Sequence, residues 1–231
     1  MKTARAIFIK QVRDTLKNRM MLVQFIIFPA IAFIMTELVA KPAEDIPDSI
    51  FVTMFAAMFA GMTPLMMANS VIAEDKEHKS LRFLVMAGVK PWEYLLGIGG
   101  FVLLACSLIS VIFGLIGGFS GMDLATFVLA LILGSVASVV LGASIGIFSK
   151  NQQAATATAT PVFMILAFSP MISNFNDTVG NVTSILYTQQ VKEIVNNVDM
   201  SLAKPFLTIL ANIAVLLILF VIAYKKKGLR A

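Results

Sequence analysis

Long apolar stretches separated by short polar ones make up most of the chain. A helix needs about 20 mainly apolar residues to cross the hydrocarbon core of a bilayer, because each residue advances it by roughly 1.5 Å. Six stretches meet this requirement, at approximately residues 20–39, 50–72, 94–119, 124–148, 154–172 and 206–224. The pattern predicts an all-α integral membrane protein with six transmembrane helices, in which residues 1–231 form a single transmembrane domain.

Residues 1–19, before the first span, predict an amphipathic helix lying in the plane of the membrane interface. Its apolar arc contains Phe8, Ile9, Val12 and Leu16, and its polar arc contains Lys10, Arg13, Asp14 and Lys17. Two interpretations remain open. The helix is either a basic anchor that only sets topology, or an elbow helix that contacts a cytoplasmic partner through Lys10, Arg13 and Lys17.

The second and third spans are joined by the segment "EDKEHKSLRFLVMAGVKPWEYLLG", residues 74–97, which is unusually rich in charge. Apolar residues at positions i, i+3 and i+4 predict a short amphipathic helix here, and these residues are Leu81, Leu84 and Val85. Its polar side, directed to water or to a partner, contains Glu74, Glu77, His78 and Arg82. Gly88 then ends this helix and Pro91 begins the next.

Orientation follows from the distribution of basic residues, because loops on the cytoplasmic side carry an excess of Lys and Arg. Fifteen Lys and Arg residues lie on one side: six before the first span, four in residues 73–93, Lys150, and four after Tyr224. Only three, Lys41, Lys192 and Lys204, lie on the other side. Both termini are therefore predicted to be cytoplasmic. Residues 173–205 become an extracellular loop, whose apolar residues from Val182 to Val198 predict short helices dipping toward the outer leaflet.

Composition agrees with a protein dissolved mainly in lipid. Hydrophobic residues make up 58% of the chain and charged residues only 13%, with a mean hydropathy of +0.89. The polar segments are too short for a separate soluble catalytic domain. The basic residues flank apolar spans, so we expect no nucleic-acid partner, and the single cysteine, Cys106, excludes an intramolecular disulfide.

The residues needed for several functions are missing from the spans. The apolar centres contain no ionisable group, and Glu37 and Asp123 lie at predicted ends, which argues against an ion-coupled carrier or a charged pore. A Gly-x-Ser-Gly motif at Ser120 lacks a base, since the only histidine, His78, is predicted on the opposite side. No phosphate-binding loop occurs. We therefore expect no catalytic, cofactor or metal site in this chain.

Residues 74–97 resemble the permeases of the type-2 ATP-binding-cassette (ABC-2-like) transporters. In that family an E-x-E-x-G-T-L-x-x-L-like run follows the second span and leads through a Gly or Pro turn into the third. Here the acidic part contains Glu74, Asp75 and Glu77, the Thr-Leu pair corresponds to Ser80 and Leu81, and the second Leu, turn and entry correspond to Leu84, Pro91 and Gly97. Lys79 replaces the usual glycine. The elbow helix, six spans and outer helices extend the resemblance over the whole chain in outline.

The resemblance implies a half-transporter with the type-2 ABC exporter permease fold. Two permeases, identical or paralogous, pair in the cell membrane, and each docks a separate ATPase subunit that binds ATP and Mg. The residues implied to couple to that ATPase are Glu74, Asp75, Lys76, Glu77, His78, Lys79, Ser80, Leu81 and Arg82. The implied cargo is amphipathic or hydrophobic: a drug, an antimicrobial peptide or a lipid-linked glycan. The alternative is a non-transporting membrane sensor, assembly factor or immunity protein.

Overall fold

The computed structural model describes residues 2–43, 47–197 and 202–227, which form ten α-helices. They are α1 (Lys2–Lys17), α2 (Arg19–Met35, continued by a π-helical turn, Thr36–Ala40), α3 (Ile50–Glu77), α4 (Ser80–Met86), α5 (Pro91–Ile116), α6 (Gly121–Phe148), α7 (Gln152–Ile172), α8 (Asp177–Thr183), α9 (Tyr187–Asn196) and α10 (Ala203–Lys227). Six helices, α2, α3, α5, α6, α7 and α10, are long and apolar enough to cross a membrane. The six predicted spans are confirmed.

Two helices extend beyond the predicted apolar spans in a way that matters for the loop between them. Helix α3 continues past Ile72 to Glu77, so the first charged residues of that loop are helical. Helix α5 begins at Pro91, as predicted, which is three residues before the apolar stretch that starts near Tyr94. Proline is well tolerated at the first helical position, where its missing N–H removes no helical hydrogen bond. Apolar length marks the membrane-embedded part of a helix, but it does not mark where the helix itself ends.

Helix α3 is the central helix of the bundle. Its most apolar window is 67% buried within the protein, against 22% for the corresponding windows of α2 and α10. It packs against α2, α5, α6, α7 and α9. The contact with α6 is especially close: a Cβ atom at Gly142 would collide with the backbone carbonyl of Leu65. Small residues let helices approach in lipid, where burial of apolar surface alone does not drive association.

Helix α9 enters the bundle from the side opposite α4 and reaches deep between the spans. A Cβ at Gly61 would lie 2.9 Å from Thr188 Cγ2, and one at Gly134 would lie 2.7 Å from Val191 Cγ2. Gly61 is about 16 Å along α3 from Ile50, at 1.5 Å per residue. The predicted short helices therefore form as α8 and α9, and the first turn of α9 lies beside the middle part of α3. Val198 lies outside the described residues.

Half of the predicted apolar arc of α1, Phe8 and Val12, packs against the bundle core, and the other half does not. The side chains buried against the bundle are Ile7, Gln11 and Thr15, whereas Ile9 and Leu16 are 46% and 62% exposed. The reason is a close contact with α5, in which a Cβ at Gly97 would lie only 2.6 Å from Ile7 Cβ. The helix therefore turns a mixed face to protein and leaves part of its apolar arc facing outward.

Both ends of the described chain come to the same end of the bundle. We call this the α4 end, formed by the last turn of α3, α4, the first turn of α5, the end of α6 and the start of α7. Lys10 of α1 bonds to Asp75 there, and the Tyr224 hydroxyl of α10 donates to the Val89 carbonyl at 3.1 Å. An even number of spans requires this arrangement.

Candidate functional site

The loop between the second and third spans folds as a helix, a tight turn and a second short helix. His78 and Lys79 form the turn, and Lys79 has φ 60°, in the left-handed region. Among the described residues, Lys79 is the one non-glycine residue with positive φ. Such a conformation costs a residue with a Cβ atom roughly 1–2 kcal/mol. The position where this chain replaces a glycine is thus one where glycine is favoured.

Helix α4 is amphipathic, as predicted, and its inner face packs on the bundle. Leu81 is fully buried, and Leu84 and Val85 are partly buried against the core. Gly88, at φ +79°, follows the helix, and Lys90 leads into α5, where the Lys90 N–H donates to the Glu93 carboxylate at 3.2 Å. The predicted boundaries of this segment, Gly88 and Pro91, are both confirmed.

The outer face of α4 carries exposed apolar side chains. Phe83 and Met86 are each 68% exposed, and Trp92 in the first turn of α5 is 47% exposed. Arg82 is exposed beside them. Two large apolar side chains on a short helix at the polar end of the bundle favour a contact with another protein, because such patches commonly mark interaction sites.

Asp75 ties two other helices to the end of α3. Its carboxylate accepts a hydrogen bond from Lys10 Nζ of α1 at 2.8 Å and another from the Tyr94 hydroxyl of α5 at 3.0 Å. The Asp75 residue is only 6% exposed. Partial burial lowers the pKa of Lys10, but the hydrogen bond and charge of Asp75 raise it by more, so the Lys10 pKa lies above its usual value.

The next two residues, Lys76 and Glu77, contact two further spans. Lys76 Nζ donates to the backbone carbonyl of Ile147, near the end of α6, at 2.6 Å. The Glu77 carboxylate accepts from the backbone N–H of Gln152, the first residue of α7, at 3.0 Å. A cation at a helix C-terminus and an anion at a helix N-terminus are both stabilised by the helix dipole. Residues 75–77 therefore connect α3 to α1, α5, α6 and α7.

The structure separates the sequence-predicted coupling residues into two groups. Asp75 and Leu81 are buried, and Asp75, Lys76 and Glu77 bond to other helices of the same chain. On the outside, Glu74, His78, Lys79 and Arg82 are exposed, and Ser80 is half-buried. In α1, Lys10 bonds to Asp75, while Arg13 and Lys17 are exposed. Lys10 and Glu77 belong to both groups, because they bond to other helices and are also exposed.

Sequence reasoning missed Phe83, Met86, Tyr94 and Gln152 as members of this site. The sequence did contain a signal for Phe83 and Met86, because they are apolar residues of this helix that do not belong to the i, i+3, i+4 series facing the bundle. The sequence carried no comparable signal for Tyr94 and Gln152. They meet α3 only because the folded chain brings the ends of α5 and α7 to it.

A second polar feature lies within a span. Thr156 and Thr158 are exposed on α7 and Thr160 is half-buried, and their hydroxyls donate to the carbonyls four residues earlier at 3.0, 2.9 and 2.8 Å. Bonding to the helix backbone satisfies each hydroxyl donor. The surface of this part of α7 is therefore weakly polar without carrying charge.

Comparison with known proteins identifies the family. The family model described as "ABC-2 family transporter protein" matches residues 5–224, which cover most of the chain, including α1 and all six spans. The chain therefore belongs to the ABC-2 transporter family. No curated protein sequence matches it significantly. The match agrees with the six-span architecture.

Proposed function

We propose that this ABC-2 family permease is one half of an ATP-driven exporter in the cell membrane. Two copies, or one copy and a paralogue, form the transmembrane part, and each docks a separate ATPase subunit at the α4 end, which faces the cytoplasm. The observation that carries the proposal is the arrangement at residues 75–86. An exposed apolar helix, α4, follows three consecutive residues that bond to four other helices.

Docking uses the outer face of α4. Phe83 and Met86 supply the apolar contacts that most often carry binding energy, and the exposed polar side chains of Glu74, His78 and Arg82 belong to the same segment. Rim charges mainly set register and association rate rather than affinity. The ATPase surface that fits is an apolar groove bordered by charges.

Transmission uses residues 75–77. A displacement of α4 by the ATPase moves the end of α3, because only the two-residue turn at His78 and Lys79 separates the two helices. Asp75, Lys76 and Glu77 then carry that displacement to the ends of α1, α5, α6 and α7. Rigid-body movement of packed helices is a common form of such a transition.

The pathway lies along the exposed faces of α2, α3 and α7, which a second permease covers. The threonines of α7 make its surface polar without charge, and the half-buried residues Met62 and Met66 of α3 are flexible and apolar. These surfaces suit an amphipathic or hydrophobic cargo. The candidate classes are drugs, antimicrobial peptides and lipid-linked glycans.

The test is to purify the tagged chain from its native host and to identify the proteins that remain bound. We expect an ATP-binding-cassette ATPase subunit to co-purify, and we expect its ATP hydrolysis in the reconstituted complex to rise with one of the three cargo classes. Transport that persists when ATP is depleted but ion gradients are kept would contradict the proposal. Absence of any ATPase subunit would favour a non-transporting membrane protein.

A further inference from the structure

Two neighbouring cavities lie at the end of the bundle opposite α4. One has a volume of about 690 Å³ and is walled largely by apolar side chains, among them Phe51, Met54, Phe119 and Met171. Phe175, on its wall, is 83% exposed, and Ile50 is 44% exposed. The cavity is within the usual size range for a small-molecule site, about 300–1,000 Å³.

The second cavity is polar and lies between α8, α9 and α10. Its volume is about 940 Å³, and its walls include Gln189, Gln190, Asn181 and Asn212. Its walls also include the carboxylates of Asp177 and Glu193 and two lysines, Lys192 and Lys204. This combination suits a head group that carries both charge and hydrogen-bonding groups.

Lys192 lines both cavities, so they adjoin at this residue. Its side chain is only 13% exposed. Nζ donates to Ser173 Oγ at 2.9 Å and lies 4.0 Å from the Glu193 carboxylate. An ammonium has three donors, and among the described residues it makes one hydrogen bond, to Ser173, so two donors can serve a ligand oxygen. The apolar cavity has its own carboxylate, Asp123, which is exposed.

The position of Lys192 is held by a buried polar network. Ser173 Oγ lies 3.1 Å from Gln189 Oε1, and Gln189 Nε2 donates to Glu193 at 3.1 Å. Gln189 is 2% exposed and Ser173 is 8% exposed. The lysine is thus oriented by side chains that are themselves fixed, which is what a preorganised anion site requires.

We propose that these two cavities bind one phospholipid of the outer leaflet. Its phosphate contacts Lys192, one acyl chain occupies the apolar cavity, and an amino head group lies in the polar cavity near Asp177 and Glu193. Charge complementarity selects this ligand: the most buried ionised group is a cation, and the exposed groups around it include carboxylates. The inference does not depend on transport or on the ATPase.

The binding test uses tryptophan quenching by lipids with brominated chains. The only tryptophan, Trp92, is at the α4 end. The double variant Trp92→Phe, Phe51→Trp therefore places a single reporter in the apolar cavity. It is measured in mixed micelles with increasing fractions of brominated phosphatidylethanolamine or of brominated diacylglycerol, which has the same chains and no phosphate.

We expect half-maximal quenching at a lower fraction of the phospholipid than of the diacylglycerol. Lys192→Gln should raise the phospholipid fraction needed by about tenfold, the effect of losing one charge-assisted hydrogen bond. Lys192→Arg keeps the charge and should behave like the parent, which separates binding from folding. Lys41→Gln is the matched control, because Lys41 is exposed at the same end of the bundle and pairs with Glu37.

Equal quenching by the two lipids in the parent reporter would overturn the proposal, because it would show apolar partitioning without recognition of phosphate. Equal effects of Lys192→Gln and Lys41→Gln would also overturn it. Thermal unfolding of the same variants controls for misfolding. If Lys192→Gln and Lys192→Arg both lose quenching and both melt at a lower temperature than the parent, the loss comes from misfolding rather than from loss of the charge.

Discussion

The carboxylate of Glu77 caps α7 by accepting a hydrogen bond from the backbone N–H of Gln152 at 3.0 Å. Glu77 is the last residue of α3 and Gln152 is the first residue of α7, so one bond joins the cytoplasmic ends proposed for the second and fifth spans. In the sequence the two residues are 75 positions apart. The acid that appeared to be part of a docking surface is therefore also part of the permease's internal connections.

Glu77→Gln should weaken coupling without preventing docking. The variant loses a charge-assisted cap on α7, and the expected loss in unfolding free energy is about 1 kcal/mol. We expect the ATPase subunit to co-purify at parental levels while cargo-stimulated ATP hydrolysis falls. Glu74→Gln is the control, because Glu74 is another exposed carboxylate on the last turn of α3, three residues before Glu77. If both variants lose co-purification equally, Glu77 is a docking residue instead.

Asp75→Ala should be the most destabilising change among the charged residues at the α4 end. It leaves the fully buried Tyr94 hydroxyl without the acceptor seen at 3.0 Å, and we expect a loss of about 3 kcal/mol. Lys10→Ala should cost only about 0.5 kcal/mol, since the Lys10 side chain is 55% exposed. Thermal unfolding in detergent measures both.

The double variant Asp75→Ala, Tyr94→Phe tests whether the unpaired Tyr94 hydroxyl causes the loss of stability in Asp75→Ala. Removing the hydroxyl removes the unpaired donor, so the double variant should be more stable than Asp75→Ala alone. If the losses of the two single variants simply add, the destabilisation does not come from the Asp75–Tyr94 bond.

Lys79→Gly should raise the melting temperature. Glycine adopts φ 60° without the steric cost of a Cβ atom, and the expected net gain is about 0.5–1 kcal/mol after the larger entropy of the unfolded chain is included. Lys79→Val should lower stability, because a β-branched residue is the least compatible with this conformation. Lys90→Gly is the matched control: Lys90 has φ −75°, and the change there should give no gain. A gain in both glycine variants would point to loss of charge, not relief of strain.

Ser138→Ala should cost more than Tyr187→Phe. The two hydroxyls lie 2.6 Å apart, and Ser138 Oγ also bonds to the Ala60 carbonyl. Removing the serine hydroxyl leaves the buried tyrosine hydroxyl unpaired, whereas removing the tyrosine hydroxyl leaves Ser138 with its carbonyl partner. Unfolding curves of the two variants decide the order, and the reverse order would show that another group satisfies Tyr187.

The six spans were predictable because the length of an apolar stretch is fixed by the thickness of the bilayer. The boundaries of α4 were predictable for a different reason: Gly88 and Pro91 have local conformational preferences that need no tertiary partner. Family resemblance added the meaning of this loop, and the left-handed Lys79 agrees with the glycine usual at that position.

The inner face of α1 could not be predicted in the same way. Hydrophobic periodicity places Ile9 and Leu16 together, but Gln11 and Thr15 are buried because Gly97 lets α1 approach α5 closely. In a membrane protein the apolar residues of a surface helix have two favourable environments, lipid and protein, so periodicity alone does not distinguish them. The bonds of residues 75–77 also depend on tertiary packing, because their partners lie on α5, α6 and α7. The local sequence therefore does not predict them.

The central claim is that the exposed face of α4 binds the ATPase subunit, and Met86→Asp tests it most directly. Met86 is 68% exposed and does not belong to the buried core, so the variant should fold. The matched control at the opposite end is Val182→Asp, at a 72% exposed valine of α8. The measurement is the amount of ATPase subunit that co-purifies with each tagged permease. We predict loss of the subunit from Met86→Asp and parental levels with Val182→Asp. Parental levels of the subunit with Met86→Asp, and likewise with Phe83→Asp, would contradict the account.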